Sequence, residues 1–462
     1  MLLSFSVENF RSFRAEQTLN LLASRRLGTC GPPHCCEVPG TGEHVLRVAS
    51  LYGANGAGKS NLVQALALVD RLVRSGTPPG EPISYKPFLL DSETSTKPTS
   101  FELQFLEDGE LFRYGFCYDA DRIHEEWLDV YEGKKERNIF SRATNEEGAV
   151  TVTLGPAATQ GASHSQKIAA LALVGARPNQ LFLTEAVNLH EPKAQGPRFH
   201  RAVKWFESTL STMRPGASFV MLAETIATDK RFAEFAGLFL REASTGIAGL
   251  EVQKTEMPKS ELSSVFPELL EKLFETLPEK ETALVHGPEG EEFFVDGSKK
   301  EVIRLRRIAA LHECADGHRT RLPLREESDG SQRLLNLLPD FYRVAMEGGV
   351  FVVDELERSM HPMLARKFIE FFLKTVRRTT SQLIFTTHES TLLDLDLMRR
   401  DGIWFAEKDD EGATHLYSLA DFKVRKDLRI EKGYLEGRFG AIPFLGGIDR
   451  LMEEQAAAGP EA

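Results

Sequence analysis

The beginning of the chain alternates apolar and polar residues with the period of a β-strand. Leu3, Phe5 and Val7 are separated by polar side chains, which predicts a strand, a turn and a second strand over residues 1–22. Residues 25–44 are rich in glycine, proline and cysteine and indicate a loop.

A strand, a glycine-rich loop and a helix are predicted in direct succession after this loop. Residues 45–52 are mostly apolar and predict a buried strand, and glycines recur over residues 53–60. Apolar residues then recur at helical spacing over residues 61–75.

The middle of the chain changes from a β pattern to a helical one and back. Residues 101–118 alternate on both sides of an Asp-Gly pair, which is typical of a tight hairpin turn. Residues 164–190 and 199–282 have helical spacing, without the sustained heptads of a coiled coil. Strand signals return over residues 283–325.

Helical and strand patterns alternate in the last third of the chain. A helix is predicted over residues 328–347, a strand over 350–353, a helix over 360–379 and a strand over 382–386. This rhythm indicates a partly parallel sheet, so the expected fold class is α/β.

The composition is that of an ordinary globular protein, with 42% hydrophobic and 27% charged residues. No apolar run approaches the ~20 residues that a membrane-spanning helix needs. The N-terminus is too polar and too quickly charged for a secretory signal. We therefore expect a cytoplasmic protein without membrane attachment.

The charge is unevenly distributed. A net charge of −12 argues against a protein that coats nucleic acid, because such domains are usually basic. Residues 299–325 and 423–432 are nevertheless locally basic. A solvated face is the simpler interpretation, and contact with nucleic acid or a partner is the alternative.

Five cysteines suit a reducing compartment without a disulfide framework. Cys30, Cys35 and Cys36 lie with His34 in one loop, and zinc is bound by these residue types. Their spacing matches no common zinc finger, and no second cysteine pair completes a tetrahedron. A loop with incidental thiols is therefore favoured over a metal site.

The glycine-rich loop fits the pattern G-x-x-x-x-G-K-[ST] in full. Its residues are Gly53, Ala54, Asn55, Gly56, Ala57, Gly58, Lys59 and Ser60, followed by Asn61. The glycines let backbone N–H groups surround phosphate oxygens, and the helix adds its positive end. Lys59 is expected to reach the β- and γ-phosphates of ATP, and Ser60 to ligate Mg²⁺. Asn61 is also expected to contact the nucleotide.

An acidic pair, Asp354 and Glu355, follows the apolar strand 350–353. A buried strand presents such carboxylates at its C-terminal end, where ligands gather in open α/β sheets. Asp354 is predicted to hold Mg²⁺, and Glu355 to orient and deprotonate the attacking water. The pattern also occurs at ordinary strand ends, and its pairing with the glycine-rich loop favours the catalytic interpretation.

Two further motifs complete the candidate site. The second apolar strand ends at His388, whose imidazole can stabilise charge on a transferring phosphate. A structural histidine is the alternative there. Ser328 and Gly330 lie in a Ser-x-Gly loop before a helix, where an anion can bind or Ser328 can simply cap the helix.

The order of these motifs resembles that of ABC-type ATPase heads, most closely the SMC/RecF/OLD branch. Residues 9–13, Asn-Phe-Arg-Ser-Phe, resemble the opening of RecF-like proteins. Other stretches resemble prokaryotic AAA/ABC-like ATPases of abortive infection and anti-phage defence, such as RloA-type proteins and the ATPase of PARIS systems. These stretches are Pro87-Phe88, the 101–118 hairpin, 327–330, 354–362 and 434–443. The resemblance covers about residues 1–130 and 320–445.

The resemblance implies that two heads sandwich two ATP molecules. Ser328 and Gly330 of one protomer would then cover ATP bound at Lys59 of the other. Residues 357–361 would be the D-loop at that interface, and His388 the switch histidine.

Three details of the pattern are less regular. Arg11 would lie near the nucleotide. Gln104 is the one candidate for the glutamine of the Q-loop, although it lies in the β region. The signature reads Ser-Asp-Gly-Ser-Gln, where the ABC pattern has Leu-Ser-Gly-Gly-Gln.

The resemblance also implies a domain division. Residues 1–198 would form lobe I with the P-loop and an antiparallel β subdomain, and residues 199–282 a helical insert. Residues 283–452 would form lobe II with the signature, the Walker B acids and the switch histidine. A disordered tail is expected over 453–462.

Two functions agree with these expectations, and a third is disfavoured. The first is a Mg²⁺-dependent ATPase switch of an anti-phage system, working as a homodimer or higher oligomer. It would control a separate effector encoded nearby, such as a Toprim-type nuclease, because the chain has no nuclease constellation of its own. The second is a RecF-like DNA-repair ATPase that clamps DNA, motivated by the basic stretches. An ABC-transporter subunit is disfavoured by the N-terminal motif, the insert and the altered signature.

Overall fold

The computed structural model describes residues 1–158, 165–187, 197–258, 277–278, 281–287, 291–298, 302–376, 380–424 and 429–442. The expected tail 453–462 lies outside this range. Two compact units are present. The first comprises Met1–Pro215, Val344–Glu357 and Arg366–Ala462, and the second comprises Gly216–Arg343 and Arg358–Ala365.

The first unit contains a seven-stranded antiparallel sheet. Its strands are β1 (Leu2–Glu8), β2 (Gln17–Asn20), β6 (Thr99–Glu107), β7 (Glu110–Tyr118), β8 (Ile123–Glu132), β9 (Lys135–Thr144) and β10 (Val150–Leu154). They lie in the order β10-β9-β8-β7-β6-β1-β2. The predicted hairpin is β6–β7, which turns at Asp108 and Gly109, both with positive φ.

A six-stranded, mostly parallel sheet in the same unit carries the P-loop. Its strands are β5 (Val48–Tyr52), β11 (Leu210–Met213), β17 (Gly349–Val353), β18 (Ser381–Thr386), β19 (Ile403–Lys408) and β20 (Thr414–Ser418). Their order is β11-β17-β18-β5-β19-β20, and only β20 is antiparallel to its neighbour. Every residue of β5, β17 and β18 is buried, as expected for parallel strands covered on both faces.

One hydrophobic core joins the two sheets of the first unit. It contains Phe5 of β1, Leu66 of helix α1 (Lys59–Ser75), Val352 of β17 and Ile384 of β18. The apolar face that the sequence predicts for α1 is the face that this core buries. The core therefore fixes the start of α1 relative to the ends of β17 and β18.

Eight further α-helices lie in the described part of the chain. They are α2 (Ser165–Val174), α3 (Phe182–Val187), α4 (Pro197–Lys204), α5 (Leu222–Thr228), α6 (Lys230–Glu242), α7 (Asp329–Glu347), α8 (Pro362–Thr375) and α9 (Ile430–Leu435). Within the described part of the chain, every helix is too short or too polar to cross a lipid bilayer.

The second unit is built on a separate five-stranded antiparallel sheet. Its strands are β12 (Gly249–Pro258), β13 (Thr282–His286), β14 (Glu292–Asp296), β15 (Val302–Glu313) and β16 (Arg319–Pro323). The order is β12-β15-β14-β13, with β16 also paired to β15. Helices α5 and α6 pack against β12. The strand signals over 283–325 correspond to β13 to β16.

The structure confirms the α/β fold class and corrects several local predictions. The segment 199–282 is helical only in part, because β11 pairs with β17 and β12 pairs with β15 along its whole length. Alternation of Leu250 and Val252 with polar residues was the sequence signal for β12. Helix α6 in the same segment follows the prediction. Residues 259–276, in the middle of the predicted insert, lie outside the described range.

The N-terminal loop prediction over residues 25–44 is also wrong in part. A two-stranded hairpin is formed by β3 (Cys35–Val38) and β4 (Glu43–Leu46). The predicted strand 45–52 is divided between β4 and β5 at Arg47, whose buried side chain donates to the Cys35 carbonyl. This local pairing outweighs the glycine and proline content that predicted a loop.

Candidate ATP-binding site

The P-loop runs from the C-terminal end of β5 into the first residue of α1. Gly58 precedes the helix with a φ of 106°, a left-handed conformation that glycine adopts at little cost. A Cβ at this position would overlap the Thr414 hydroxyl, and a Cβ at Gly53 would overlap the Ala406 carbonyl oxygen. Both glycines are therefore required by close packing as well as by the motif.

Lys59 is buried under the loop that it is expected to serve. Its Nζ donates to the Gly53 carbonyl at 2.6 Å and to the Ala54 carbonyl at 3.1 Å. Burial lowers the pKa of Lys59 to about 8, and the carboxylates of Asp354, Glu357 and Glu355 oppose that effect. A phosphate would add a strong acceptor for the protonated amine.

The oxygens of Ser60 and Asp354 meet between α1 and β17. Ser60 Oγ donates to Asp354 Oδ1 at 3.1 Å, and Asp354 is almost fully buried at the end of β17. A hydroxyl and a carboxylate are hard oxygen donors of the kind that Mg²⁺ prefers. The pair lies beside the phosphate loop, so the residues present fit a Mg²⁺ ion there.

Thr386, at the end of β18, joins the two acidic residues. Its Oγ1 donates to Asp354 Oδ1 at 2.6 Å and accepts from the Glu355 N–H at 2.8 Å. Glu355 has a φ of 52°, an unfavourable conformation for a residue with a Cβ. The hydroxyl of Thr386 therefore supports both the orientation of Asp354 and the backbone at Glu355.

The sequence motifs assign no role to Thr386. A signal was available, because β18 is parallel to β17 and the register pairs Val353 with Phe385. The next residue on each strand must then lie side by side at the carboxyl edge of the sheet. That register becomes known only once the strand order is known.

His388 lies beside Lys59 and Glu357. The Nδ1 of His388 is 3.4 Å from Lys59 Nζ, and the backbone N–H of His388 donates to Glu357 Oε1 at 2.7 Å. Partial removal of the ring from water and the charge of Lys59 lower the pKa of His388. The imidazole is therefore predominantly neutral at pH 7. Glu357, which the resemblance placed in the D-loop, contacts the switch-histidine segment of its own chain.

Three other residues singled out by the sequence have defined places in the first unit. Arg11 has a φ of 53°, and its N–H donates to the Lys86 carbonyl. Asn61 Nδ2 donates to Ser12 Oγ at 2.8 Å. Gln104 pairs with Ser4 in the interior of the antiparallel sheet. Its role in a Q-loop stays a prediction.

Ser328 and Gly330 lie in the second unit. Ser328 Oγ accepts from the Ser331 N–H at 3.2 Å, so it caps the start of α7 as the simpler interpretation proposed. A Cβ on Gly330 would press against the Ser359 carbonyl oxygen. The signature loop thus packs against a residue of the predicted D-loop within this unit.

The cysteine predictions are corrected in one respect. Cys30 and Cys35 form a disulfide with Cα atoms 5.7 Å apart, although no disulfide was expected. Their bridging removes two of the four donors proposed for a metal site. Cys35 begins β3, and a turn over residues 32–34 separates it from Cys30.

A different group of metal-ligand residues occurs in the second unit. Cys314, Asp316 and His318 lie in the turn between β15 and β16, with their donor atoms within 4.8 Å of one another. Asp316 and His318 are exposed, and they contact each other. This Cys-x-Asp-x-His spacing was present in the sequence and was overlooked.

Comparison with known proteins gives one family match. The model described as "AAA domain, putative AbiEii toxin, Type IV TA system" matches residues 48–157 and 237–394, which is more than half of the chain. The matched ranges include the P-loop, the Ser-x-Gly loop, the acidic pair and His388. A comparison with curated proteins finds no significant match.

Solved structures of SMC head domains are similar to the chain. The SMC head domain from Thermotoga maritima is 14% identical, with 90% of this chain and 98% of that chain covered and a TM-score of 0.39. An Smc head bound to the C-terminal winged-helix domain of ScpA is 13% identical, with coverages of 94% and 99% and a TM-score of 0.40. An Smc head bound to the C-terminal domain of ScpA from Pyrococcus furiosus is 12% identical, with coverages of 94% and 98% and a TM-score of 0.35. The fold itself is defined by the strand orders described above.

Proposed function

This chain belongs to the family described as "AAA domain, putative AbiEii toxin, Type IV TA system", and from that premise we propose that it is an ATP-hydrolysing switch. One observation carries the proposal. Ser60 of the P-loop, Asp354 and Glu355 after β17, and Thr386 at the end of β18 lie within one hydrogen-bonded group, and Nζ of the adjacent Lys59 lies 3.4 Å from His388 Nδ1. The hydroxyl and carboxylate oxygens of this group lie beside the P-loop, where they can hold Mg²⁺ and activate a water molecule.

Binding of ATP would use the P-loop and the start of α1. The backbone N–H groups of the loop and the positive end of the helix attract the phosphate oxygens. Lys59 would exchange its bonds to the Gly53 and Ala54 carbonyls for bonds to the β- and γ-phosphates. Ser60 and Asp354 would hold Mg²⁺, which neutralises charge on those phosphates when it is bound.

Hydrolysis would depend on Glu355. Its carboxylate would orient a water molecule and accept its proton as the water oxygen bonds to the γ-phosphorus. The bond from the γ-phosphorus to the bridging oxygen breaks, which gives ADP and inorganic phosphate. The imidazole of His388 would contact the γ-phosphate, and the bond from the backbone N–H of His388 to Glu357 holds the main chain there.

The direct experiment is an ATPase assay with a matched pair of variants. Glu355→Gln removes the base and keeps the shape, so kcat is expected to fall about 100-fold or more while ATP still binds. Glu347→Gln, an exposed glutamate at the end of α7, is the control and is expected to match wild type. Equal kcat values of wild type and Glu355→Gln would contradict the proposal that this site hydrolyses ATP.

The switch is proposed to act as a dimer. Ser328 and Gly330 of one chain would complete the site around ATP bound by another chain, so ATP would join the protomers and hydrolysis would release them. The motif order of the chain supports this model. Ser328 is exposed at the start of α7, so an anion can approach its hydroxyl there.

We propose anti-phage defence as the setting, on the resemblance of the motifs to those of abortive-infection ATPases. The switch would hold or release a separate effector, such as a Toprim-type nuclease encoded nearby. Co-purification of the neighbouring gene product in an ATP-dependent manner is the expected result. Purification of the chain alone, together with unchanged phage sensitivity after deletion of its gene, would contradict this role.

A second candidate is a RecF-like ATPase that clamps DNA, and one observation favours it. Arg307, Arg321 and Arg325 line a single cavity of about 290 Å³ on the sheet of the second unit. Arg307 forms an ion pair with Glu291, and Arg321 forms one with Glu251, which reduces the local positive charge. Duplex binding that requires ATP and weakens steeply with salt would support this function. DNA affinity that ignores ATP would exclude it.

A further inference from the structure

A small hydroxyl cluster lies directly under the P-loop and is not part of the motif. We infer that Ser12 and Thr414 are positioning residues that orient the peptide between Ala57 and Gly58 for phosphate binding. The inference rests on the proposed function, because it assigns a role within the same site. Both residues are buried, and they come from opposite ends of the chain.

The contacts of the cluster form one continuous chain of hydrogen bonds. Asn61 Nδ2 is 2.8 Å from Ser12 Oγ, Ser12 Oγ is 2.7 Å from Thr414 Oγ1, and Thr414 Oγ1 is 2.9 Å from the Ala57 carbonyl oxygen. A hydroxyl has a single hydrogen to donate. All members are satisfied when Asn61 donates to Ser12, Ser12 to Thr414, and Thr414 to Ala57.

The backbone around the cluster holds both hydroxyls in place. The Thr414 N–H donates to the Ser12 carbonyl at 2.7 Å, and Phe10 and Phe13 exchange backbone bonds around Ser12. Arg14 forms ion pairs with Glu411 and Asp409, which join the same two turns at the surface. The N-terminal Asn-Phe-Arg-Ser-Phe segment therefore presents Ser12 to the P-loop.

The geometry of the peptide unit explains why this matters for phosphate. In a trans peptide the C=O and the following N–H point in opposite directions. The hydrogen bond from Thr414 Oγ1 holds the Ala57 carbonyl pointing towards Thr414. The Gly58 N–H of the same peptide unit is therefore directed away from Thr414. A carbonyl turned towards the phosphate would repel it, whereas an inward N–H attracts it.

The test compares three variants at two buried threonines, Thr414 and Thr184. Thr414→Val removes the hydroxyl and keeps the shape, and Thr414→Ser restores the hydroxyl. Thr184→Val is the matched control, because Thr184 Oγ1 is buried and donates to the Leu72 carbonyl near the far end of α1. Each variant is measured for ATP affinity, thermal stability and hydrogen exchange of residues 53–60 without nucleotide.

Thr414→Val is expected to weaken ATP binding about 3- to 10-fold and to speed exchange over residues 53–60. Thr414→Ser is expected to restore both properties, and Thr184→Val to change stability alone. Wild-type ATP affinity and exchange in Thr414→Val would overturn the inference, as would an equal loss in Thr184→Val. If the wild-type protein bound no ATP, the proposed function would fail, and the exchange comparison would still decide the positioning role.

Discussion

Thr386 Oγ1 donates a 2.6 Å hydrogen bond to Asp354 Oδ1, and this bond links the ends of two adjacent parallel strands. The same hydroxyl accepts from the Glu355 N–H. One side chain thus supports the proposed metal ligand and the proposed base. Neither the acidic pair nor the P-loop motif contains this residue.

Thr386→Val is expected to lower kcat about 10-fold or more. Valine keeps the shape of the threonine side chain. It removes the hydroxyl that bonds both Asp354 and the Glu355 N–H. Loss of such a bond to a metal ligand typically lowers activity. Steady-state ATPase assays measure the change. Thr144→Val is the control, because Thr144 is a buried threonine whose hydroxyl donates to the Ile123 carbonyl. Equal activity of the two variants would show that Thr386 has no special role.

The affinity for ATP is expected to decrease at alkaline pH. The pKa of Lys59 is lowered to about 8 by burial, and a bound phosphate raises it again. ATP therefore binds best to the protonated lysine, and Kd is expected to be constant below about pH 8 and to rise up to about tenfold per pH unit above it. Calorimetric titrations between about pH 6.5 and pH 9.5 measure this profile.

Lys59→Arg is the control for the pH profile, since arginine stays protonated over this range. Its affinity is expected to be weaker overall and independent of pH. A wild-type Kd that does not change between about pH 7.5 and pH 9.5 would mean that Lys59 does not titrate there or does not bind the phosphates.

The proposed site across two chains predicts complementation between inactive variants. Lys59→Ala and Ser328→Ala are each expected to be nearly inactive alone. In a mixture, a heterodimer has one site in which both residues are intact, so about a quarter of the wild-type activity is expected. Activity no higher than the mean of the separate variants would mean that the site is complete within one chain.

Ser331→Ala is the control for the capping role of Ser328. Ser328 Oγ accepts from the Ser331 N–H and lies 3.0 Å from Ser331 Oγ. Loss of the Ser331 hydroxyl disturbs the same cap and keeps Ser328 available. Ser331→Ala is therefore expected to change thermal stability by about 1 kcal/mol or less and to retain ATPase activity.

Local patterns predicted the parts of the fold that depend on neighbouring residues. The β5–P-loop–α1 unit, the β6–β7 hairpin and strand β17 each have a distinct period and a distinct turn. The positions of Lys59 and Asp354 follow directly from these elements, because Lys59 begins α1 and Asp354 follows the end of β17, and their roles stay predictions.

Contacts between distant segments could not be predicted in this way. Ser12 and Thr414 are 402 positions apart, and nothing in either local sequence specifies their meeting. Strand β12 lies in a region predicted to be helical, because its short apolar alternation is a weak local signal and its pairing with the distant β15 stabilises it. Thr386 was missed for the same reason.

The central claim is that ATP joins two copies of the chain and that hydrolysis separates them. Size-exclusion chromatography with light scattering of Glu355→Gln, with and without ATP and Mg²⁺, tests it most directly. The expected result is a monomer without nucleotide and a stable dimer with ATP, whereas Lys59→Ala stays monomeric in both conditions. A Glu355→Gln protein that binds ATP and still elutes as a monomer would contradict the claim.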